Sequence, residues 1–258
     1  HVRSRRQASD VYKRQTSSYQ LEYSKIFKSN IAAILNISPD HLERHGTLKN
    51  YIRAKFKLIK NQTNKDFALL NTNNIHIKYQ ILKKKFSSKI IKINKKIGSL
   101  NLKRLSNPYF MTEGNKENLL FVIEIAKIFK IRKEDLFKVL KKFDGLKYRQ
   151  QIIYKSKSLT IINDSKATSF SSSVSILKSM NNVSWIVGGL TKKEDKFLLS
   201  KNDCKSFKAY IFGKKKDLFI KEFKKVIKYE TFKDFKILIK KVFLYIKINN
   251  KKHQTILF

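Results

Sequence analysis

The sequence predicts an α/β protein built on mainly parallel sheets with helices on both faces. Three observations carry this. After residue 15, short apolar runs alternate with longer segments of helical apolar spacing all along the chain. Hydrophobic residues make up 41% of the 258, enough to supply a packed core. The length allows one large domain or two ordinary ones, and Gly145 breaks the pattern into two such stretches.

The elements follow in chain order. Ile31 to Ile37 is an apolar run bounded by polar residues and Pro39, as a buried strand would be. Thr47 to Lys60 reads as a helix capped by Thr47, with Leu48, Tyr51, Ile52, Phe56 and Ile59 on one face. Phe67 to Leu70 and Lys89 to Ile93 read as strands around a helix at Ile75 to Leu82. Asn115 to Phe129 and Lys133 to Phe143 form two amphipathic helices. Beyond Gly145, Ile152 to Tyr154 and Leu159 to Asn163 alternate like a strand pair. A helix (Ser171 to Met180), a strand (Trp185 to Val187) and a turn at Gly188-Gly189 come next. They are followed by a strand (Ala209 to Phe212), a helix (Lys216 to Lys225), a strand (Val226 to Tyr229), a helix (Phe232 to Ile246) and a last strand (Thr255 to Phe258).

The 58 Lys and Arg against 19 Asp and Glu leave a net charge of +39. That surface attracts anionic substrates and any nearby RNA. Only nine of the basic residues are Arg, the better residue for bidentate phosphate and base contacts. A drift toward A/T-rich codons explains the abundant Lys, Asn, Ile and Phe without a polyanion partner. The single cysteine, Cys204, excludes an intrachain disulfide framework and fits a reducing compartment. No run approaches the roughly 20 apolar residues of a membrane span, and nothing at the start reads as a secretory segment. Residues 1–15 hold four of the nine Arg and one Lys and lack an apolar period, so they read as a foreign or disordered leader. The alternative is a native basic arm.

Several clusters could carry chemistry. Ser17-Ser18-Tyr19-Gln20-Leu21-Glu22 places a carboxylate after a strand-like alternation. Pro39-Asp40-His41-Leu42-Glu43-Arg44-His45 packs two carboxylates, two imidazoles and an arginine at a strand end, with Lys55 fourteen residues past His41. Taken bare, this is a weak metal signal. Asn163-Asp164-Ser165-Lys166-Ala167-Thr168 lies between a strand and a helix, where N–H groups and the helix dipole face an anion. An ordinary helix cap would use the same residue types.

Taken together and in this order, SSYQLE (17–22), LNISPDHLERHGTLKNYIRAK (35–55), GNKEN (114–118), GLKYR (145–149), NDSKAT (163–168) and Gly188-Gly189 resemble the Mur ligase family, particularly its D-glutamate-adding branch. The resemblance runs from about Ser17 to Phe258. It implies a P-loop-type central ATPase domain, partial here, over 16–145, and a Rossmann-like C-terminal ligase domain, truncated here, over 146–258. The implied activity is ATP-dependent amide ligation in peptidoglycan synthesis, adding D-glutamate to UDP-N-acetylmuramoyl-L-alanine through an acyl phosphate. It also implies a cytoplasmic location, a monomer when complete, and no specific nucleic-acid or membrane partner.

By the same resemblance, Glu22, His41 and Lys55 would hold or orient Mg²⁺, with Lys55 carbamylated. Asn115 and Asn118 would meet adenine, Arg149 and Asp164 the rest of the nucleotide. Lys166, Thr168 and Lys192 would bind D-glutamate and the acyl phosphate, with Lys55, His41 and Lys166 counted as catalytic. Gly114, Tyr148 and Leu190 depart from the family's usual histidine, histidine and acid. None of the seven glycines fits G-x-x-x-x-G-K-[ST]. The chain is therefore expected to be a fragment without the phosphate loop, the N-terminal domain and the extreme C-terminus, and inactive alone. A related Mur or folylpolyglutamate-type ligase with another acceptor, and a basic nucleic-acid-binding protein, are the alternatives.

Overall fold

The computed structural model describes residues 13–94, 105, 107–190 and 195–258. The chain packs as two compact units, 1–94 and 95–258.

In the first unit the parallel sheet β1-β2-β3 is formed by β1 (Ile31–Ile34), β2 (Phe67–Asn71) and β3 (Lys89–Ile93). Around it lie α1 (Ser18–Tyr23), α2 (Leu42–His45), α3 (Leu48–Phe56) and α4 (Ile75–Lys83). Tyr51, Ile52 and Phe56 of α3 pack on Ala32, Ile34, Ala68 and Leu70 of the strands, the spacing expected of a helix laid on a sheet. The strand-like reading of SSYQLE is overturned. Ser17 and Gln20 form a reciprocal capping box that starts α1. The strand at 31 also stops early, at Ile34. Side-chain amides take over the next carbonyls: Asn71 Nδ2 donates to Leu35 O (2.7 Å) and Asn74 Nδ2 to Ile37 O (2.9 Å). These bonds fix the loop that leads to Asp40 and His41.

The second unit carries α5 (Glu113–Ile128) and α6 (Lys133–Lys142), then a six-stranded sheet. Its strands are β4 (Gln151–Lys155), β5 (Leu159–Asn163), β6 (Val183–Gly188), β7 (Phe207–Phe212), β8 (Tyr229–Phe232) and β9 (Gln254–Leu257), in the order β4-β5-β9-β6-β7-β8. Only β4 runs antiparallel. Alternation sorts the side chains. Trp185, Ala209 and Ile211 join the cluster with α7 (Phe170–Ser179) and α8 (Lys216–Phe223), whereas Ile186 and Tyr210 join Leu238 and Val242 of α9 (Phe235–Ile248). Helices therefore cover both faces, as the pattern predicted.

The strand expected at Val226 to Tyr229 begins instead at Tyr229. Val226 and Ile227 donate back to Phe223 O and close the end of α8, with Ile227 buried. Residues 107–143, which the sequence groups with the first domain, pack within the second unit through α5 against α7. Gly145 marks, inside that unit, the change from paired helices to sheet. No helix among the described residues is long and apolar enough to cross a membrane.

Candidate active site

Two polar clusters stand where the sequence pointed, one in each unit. In the first, α1, the 35–41 loop and α3 meet at a polar pocket of about 490 Å³. It is lined by Gln15 to Ser18, Gln20, Asp40, His41, Tyr51 and Lys55. His41 is left-handed, with φ 56°, and its N–H donates to Asp40 Oδ1 at 3.0 Å. Its ring lies 3.5 Å from the Asp40 carboxylate and 3.6 Å from that of Glu43. Lys55 extends over the Tyr51 ring, its Nζ 5.0 Å from the centroid. Burial lowers the Lys55 pKa, partly opposed by the Asp40 charge. Burial, then Asp40 and Tyr19, push the Tyr51 phenol up to about 12, so it stays a neutral hydroxyl.

Glu22 does not join His41 and Lys55. It lines a separate cavity of about 270 Å³ with Asn50, Arg53, Ala54 and Lys57. Its Oε2 lies 3.7 Å from Nδ1 of the buried His45. Ser18 and Glu22 are four residues apart on α1, so they share one helix face, and both reach His45. His45 Nε2 sits 3.0 Å from Ser18 Oγ, and its ring stacks on Tyr19. The acid in the pocket is Asp40, beside His41.

Among the described residues no three His, Cys, Asp or Glu side chains are grouped to hold a metal. The donors that do line the pocket are a carboxylate, an imidazole, hydroxyls and the Gln15 and Gln20 amides. They suit a hard cation that keeps waters and takes phosphate oxygens, as Mg²⁺ does. Lys55 adds an oxygen ligand to this set only as a carbamate.

In the second unit the NDSKAT loop and Gly188-Gly189 follow β5 and β6. Both strands run parallel to β9, so the two loops share the carboxyl edge of one sheet, where open α/β sheets bind ligands. Asp164 is buried, 8% exposed. Its backbone N–H donates to Phe258 O, and its Oδ1 accepts from Gln150 N–H at 3.0 Å. Its Oδ2 is buried without a hydrogen-bond partner. Burial raises the carboxyl to about 6, against the opposing pull of the Gln150 N–H and Arg149.

Arg149 is exposed, in a turn closed by its own N–H to Leu146 O (3.1 Å). Tyr148 (φ 65°) and Gln150 (φ 47°) flank it in left-handed conformations. Those cost on the order of 1–2 kcal/mol each in a residue with a Cβ. Gly145 opens the turn at φ 82°, where a Cβ would stand 2.5 Å from the Tyr109 ring. Lys166 and Thr168 are exposed. Lys166 donates its N–H to Tyr148 O (3.1 Å), and its Nζ lies 5.6 Å from the Tyr148 ring centroid. Lys192 lies outside the described residues.

Asn115 and Asn118 both fall in the first turns of α5, but in different surroundings. Asn118 is exposed. Asn115 is buried, and its Nδ2 donates to Tyr109 O (2.8 Å) and Gln150 Oε1 (3.1 Å). Both amide hydrogens of Asn115 are engaged within the protein. Gln150 and Thr112, which complete the arrangement, carried no sequence signal beyond the helix-capping character of Thr112.

Residues 15–133 match the Mur ligase middle domain. A UDP-N-acetylmuramoylalanine--D-glutamate ligase from Rickettsia felis is 30% identical over 237 residues, which is 85% of this chain and 53% of the relative. The chain thus spans about half the length of that relative. Among solved structures, MurF from Acinetobacter baumannii superposes with a TM-score of 0.64 at 17% identity, over 93% of this chain and 58% of its own. The MurF ligase from Thermotoga maritima, solved with ADP, gives 0.62 at 15%, over 94% and 61%. At these identities the two structures speak for the fold.

Proposed function

This chain belongs to the Mur ligase family, and from that premise we propose that it serves an ATP-dependent amide ligase of peptidoglycan synthesis. The reaction would join the amine of D-glutamate to the carboxyl group of UDP-N-acetylmuramoyl-L-alanine. In it, the carboxylate attacks the γ-phosphorus of ATP and releases ADP. The amine then attacks the acyl phosphate carbon, and the tetrahedral intermediate collapses with loss of phosphate. Negative charge gathers on closely spaced oxygens in both steps, so fixed cations and donors lower the barriers.

The observation that carries this reading is the meeting of Asp40, His41 and Lys55 at one polar pocket, inside the segment that matches the family. Asp40 and His41 would hold Mg²⁺ there, and the ion would neutralise phosphate charge. A lowered Lys55 pKa leaves more free amine at neutral pH. Free amine is the form that adds CO₂, with loss of a proton, to give a carbamate. Tyr51 stays protonated under the lysine stem and holds it across the pocket.

At the sheet edge, Asp164 Oδ2 would accept from a ribose hydroxyl and exposed Arg149 would meet phosphate. Asn118 would contact the base. Lys166, Thr168 and Lys192 would bind the two carboxylates of D-glutamate, a task suited to cations and hydroxyls. ATP, the UDP-sugar substrate and D-glutamate are then the ligands, the location is the cytoplasm, and the excess of lysine needs no nucleic-acid partner.

The test is an acceptor screen on the protein expressed from the intact reading frame, with ATP, Mg²⁺ and UDP-N-acetylmuramoyl-L-alanine. Phosphate release that depends on D-glutamate supports the reading. Release with another amino acid in its place moves the chain to another branch, and release with none refutes amide ligation.

A further inference from the structure

We propose that Gln150 is a positioning residue for the nucleotide, tying the start of α5 to the Asp164 carboxylate so that one oxygen of Asp164 is presented to a ribose hydroxyl. The inference rests on the nucleotide reading of Asp164 given above. Three hydrogen bonds converge on this residue. Gln150 Oε1 accepts from Thr112 Oγ1 (2.9 Å) and from Asn115 Nδ2 (3.1 Å), while Gln150 N–H donates to Asp164 Oδ1 (3.0 Å). Thr112, Asn115 and Asp164 are 3%, 5% and 8% exposed, so the network is sheltered from water.

The two ends do different work. Thr112 Oγ1 also accepts from Asn115 N–H (3.3 Å) as the N-cap of α5. The side-chain end of Gln150 therefore reads the position of a helix start. The backbone end sits at φ 47°, in the turn that carries Arg149. A backbone N–H held in that conformation points only where the turn points it. Asp164 Oδ1 is committed to it, which leaves Oδ2, buried and without a protein partner, as the acceptor for an incoming donor. A ligand hydroxyl is such a donor. If the Gln150 side chain lost its hold on α5, the turn could relax from its unfavourable conformation and carry the N–H off Oδ1. The carboxylate would then be free to rotate.

The experiment measures binding of ADP and of 2′,3′-dideoxy-ADP to the protein from the intact reading frame. Gln150→Met keeps side-chain volume and removes the acceptor, and Gln150→Glu restores an acceptor. Thr112→Val, which removes one donor at constant shape, is a second perturbation should Gln150→Met fail to fold. The wild type should prefer ADP by about tenfold or more, the size of one charge-assisted hydrogen bond. Gln150→Met and Thr112→Val should reduce that preference to less than about threefold, with recovery in Gln150→Glu. A uniform loss of affinity for both ligands, with the preference intact, would make Gln150 merely structural and overturn the proposal. Absence of any preference in the wild type, or a preference that survives Asp164→Ala, would overturn the nucleotide reading and the proposal with it.

Discussion

Replacing Asp164 by Asn should remove a pH dependence from the stability of the fold. The native environment holds this carboxyl at about 6, against an ordinary 3.8, chiefly because burial disfavours the charge. Between those two values the folded state binds more protons than the unfolded chain, so stability falls as pH rises through the interval and is flat above it. The gap of 6 − 3.8 = 2.2 pH units, at about 1.4 kcal/mol per unit, sets an upper limit of about 3 kcal/mol. Asn keeps the acceptor for Gln150 N–H and cannot ionise. Urea denaturation of both proteins from pH 3.5 to 7.5 would then show nearly equal stability at the acid end. The Asn variant should gain up to about 3 kcal/mol by pH 7, with most of the change between pH 4 and 6. A difference that stays constant with pH, or that turns in favour of Asp as pH rises, would refute the claim that this carboxylate is buried at an energetic cost.

A ligand hydroxyl on Asp164 Oδ2 favours the ionised form, so ADP affinity should increase with pH up to about 6 and level off; calorimetric titration across that range checks it. Lys55→Ala should abolish a carbamate signal that ¹³C-enriched CO₂ gives in the wild-type NMR spectrum; an undiminished signal would remove Lys55 from that role. Phe223 is fully buried among Phe170, Trp185, Phe197 and Phe219. Phe223→Ala should cost about 3–5 kcal/mol in denaturant unfolding. Gly145→Ala should cost about 2 kcal/mol or more, from the left-handed backbone and the Tyr109 ring together, and the loss should shrink in a Tyr109→Ala background.

Strand and helix types were legible because apolar residues alternate by two in β6 and β7 and recur at helical spacing in α3. What failed is local. At SSYQLE the apolar alternation suggested extended chain, yet Ser17-x-x-Gln20 was a helix-start signal in plain view. At Val226-Ile227 an apolar pair read as a strand is a helix end buried in the core, a choice set by tertiary packing. The pocket residues His41 and Lys55 were legible by resemblance, and Asp40 lay beside them. Glu22, expected by resemblance to share the metal, lies beside His45 and lines a different cavity from His41 and Lys55. The Thr112–Asn115–Gln150–Asp164 network could not be read in advance. It joins positions up to 52 residues apart through a turn whose left-handed residues, Tyr148 and Gln150, are not glycines.

The measurement that bears most directly on the central claim is oxygen transfer. UDP-N-acetylmuramoyl-L-alanine labelled with ¹⁸O in its carboxylate is incubated with ATP, Mg²⁺, D-glutamate and the protein from the intact reading frame. Ligation through an acyl phosphate places one ¹⁸O atom in each inorganic phosphate released. Unlabelled phosphate alongside amide product would contradict it.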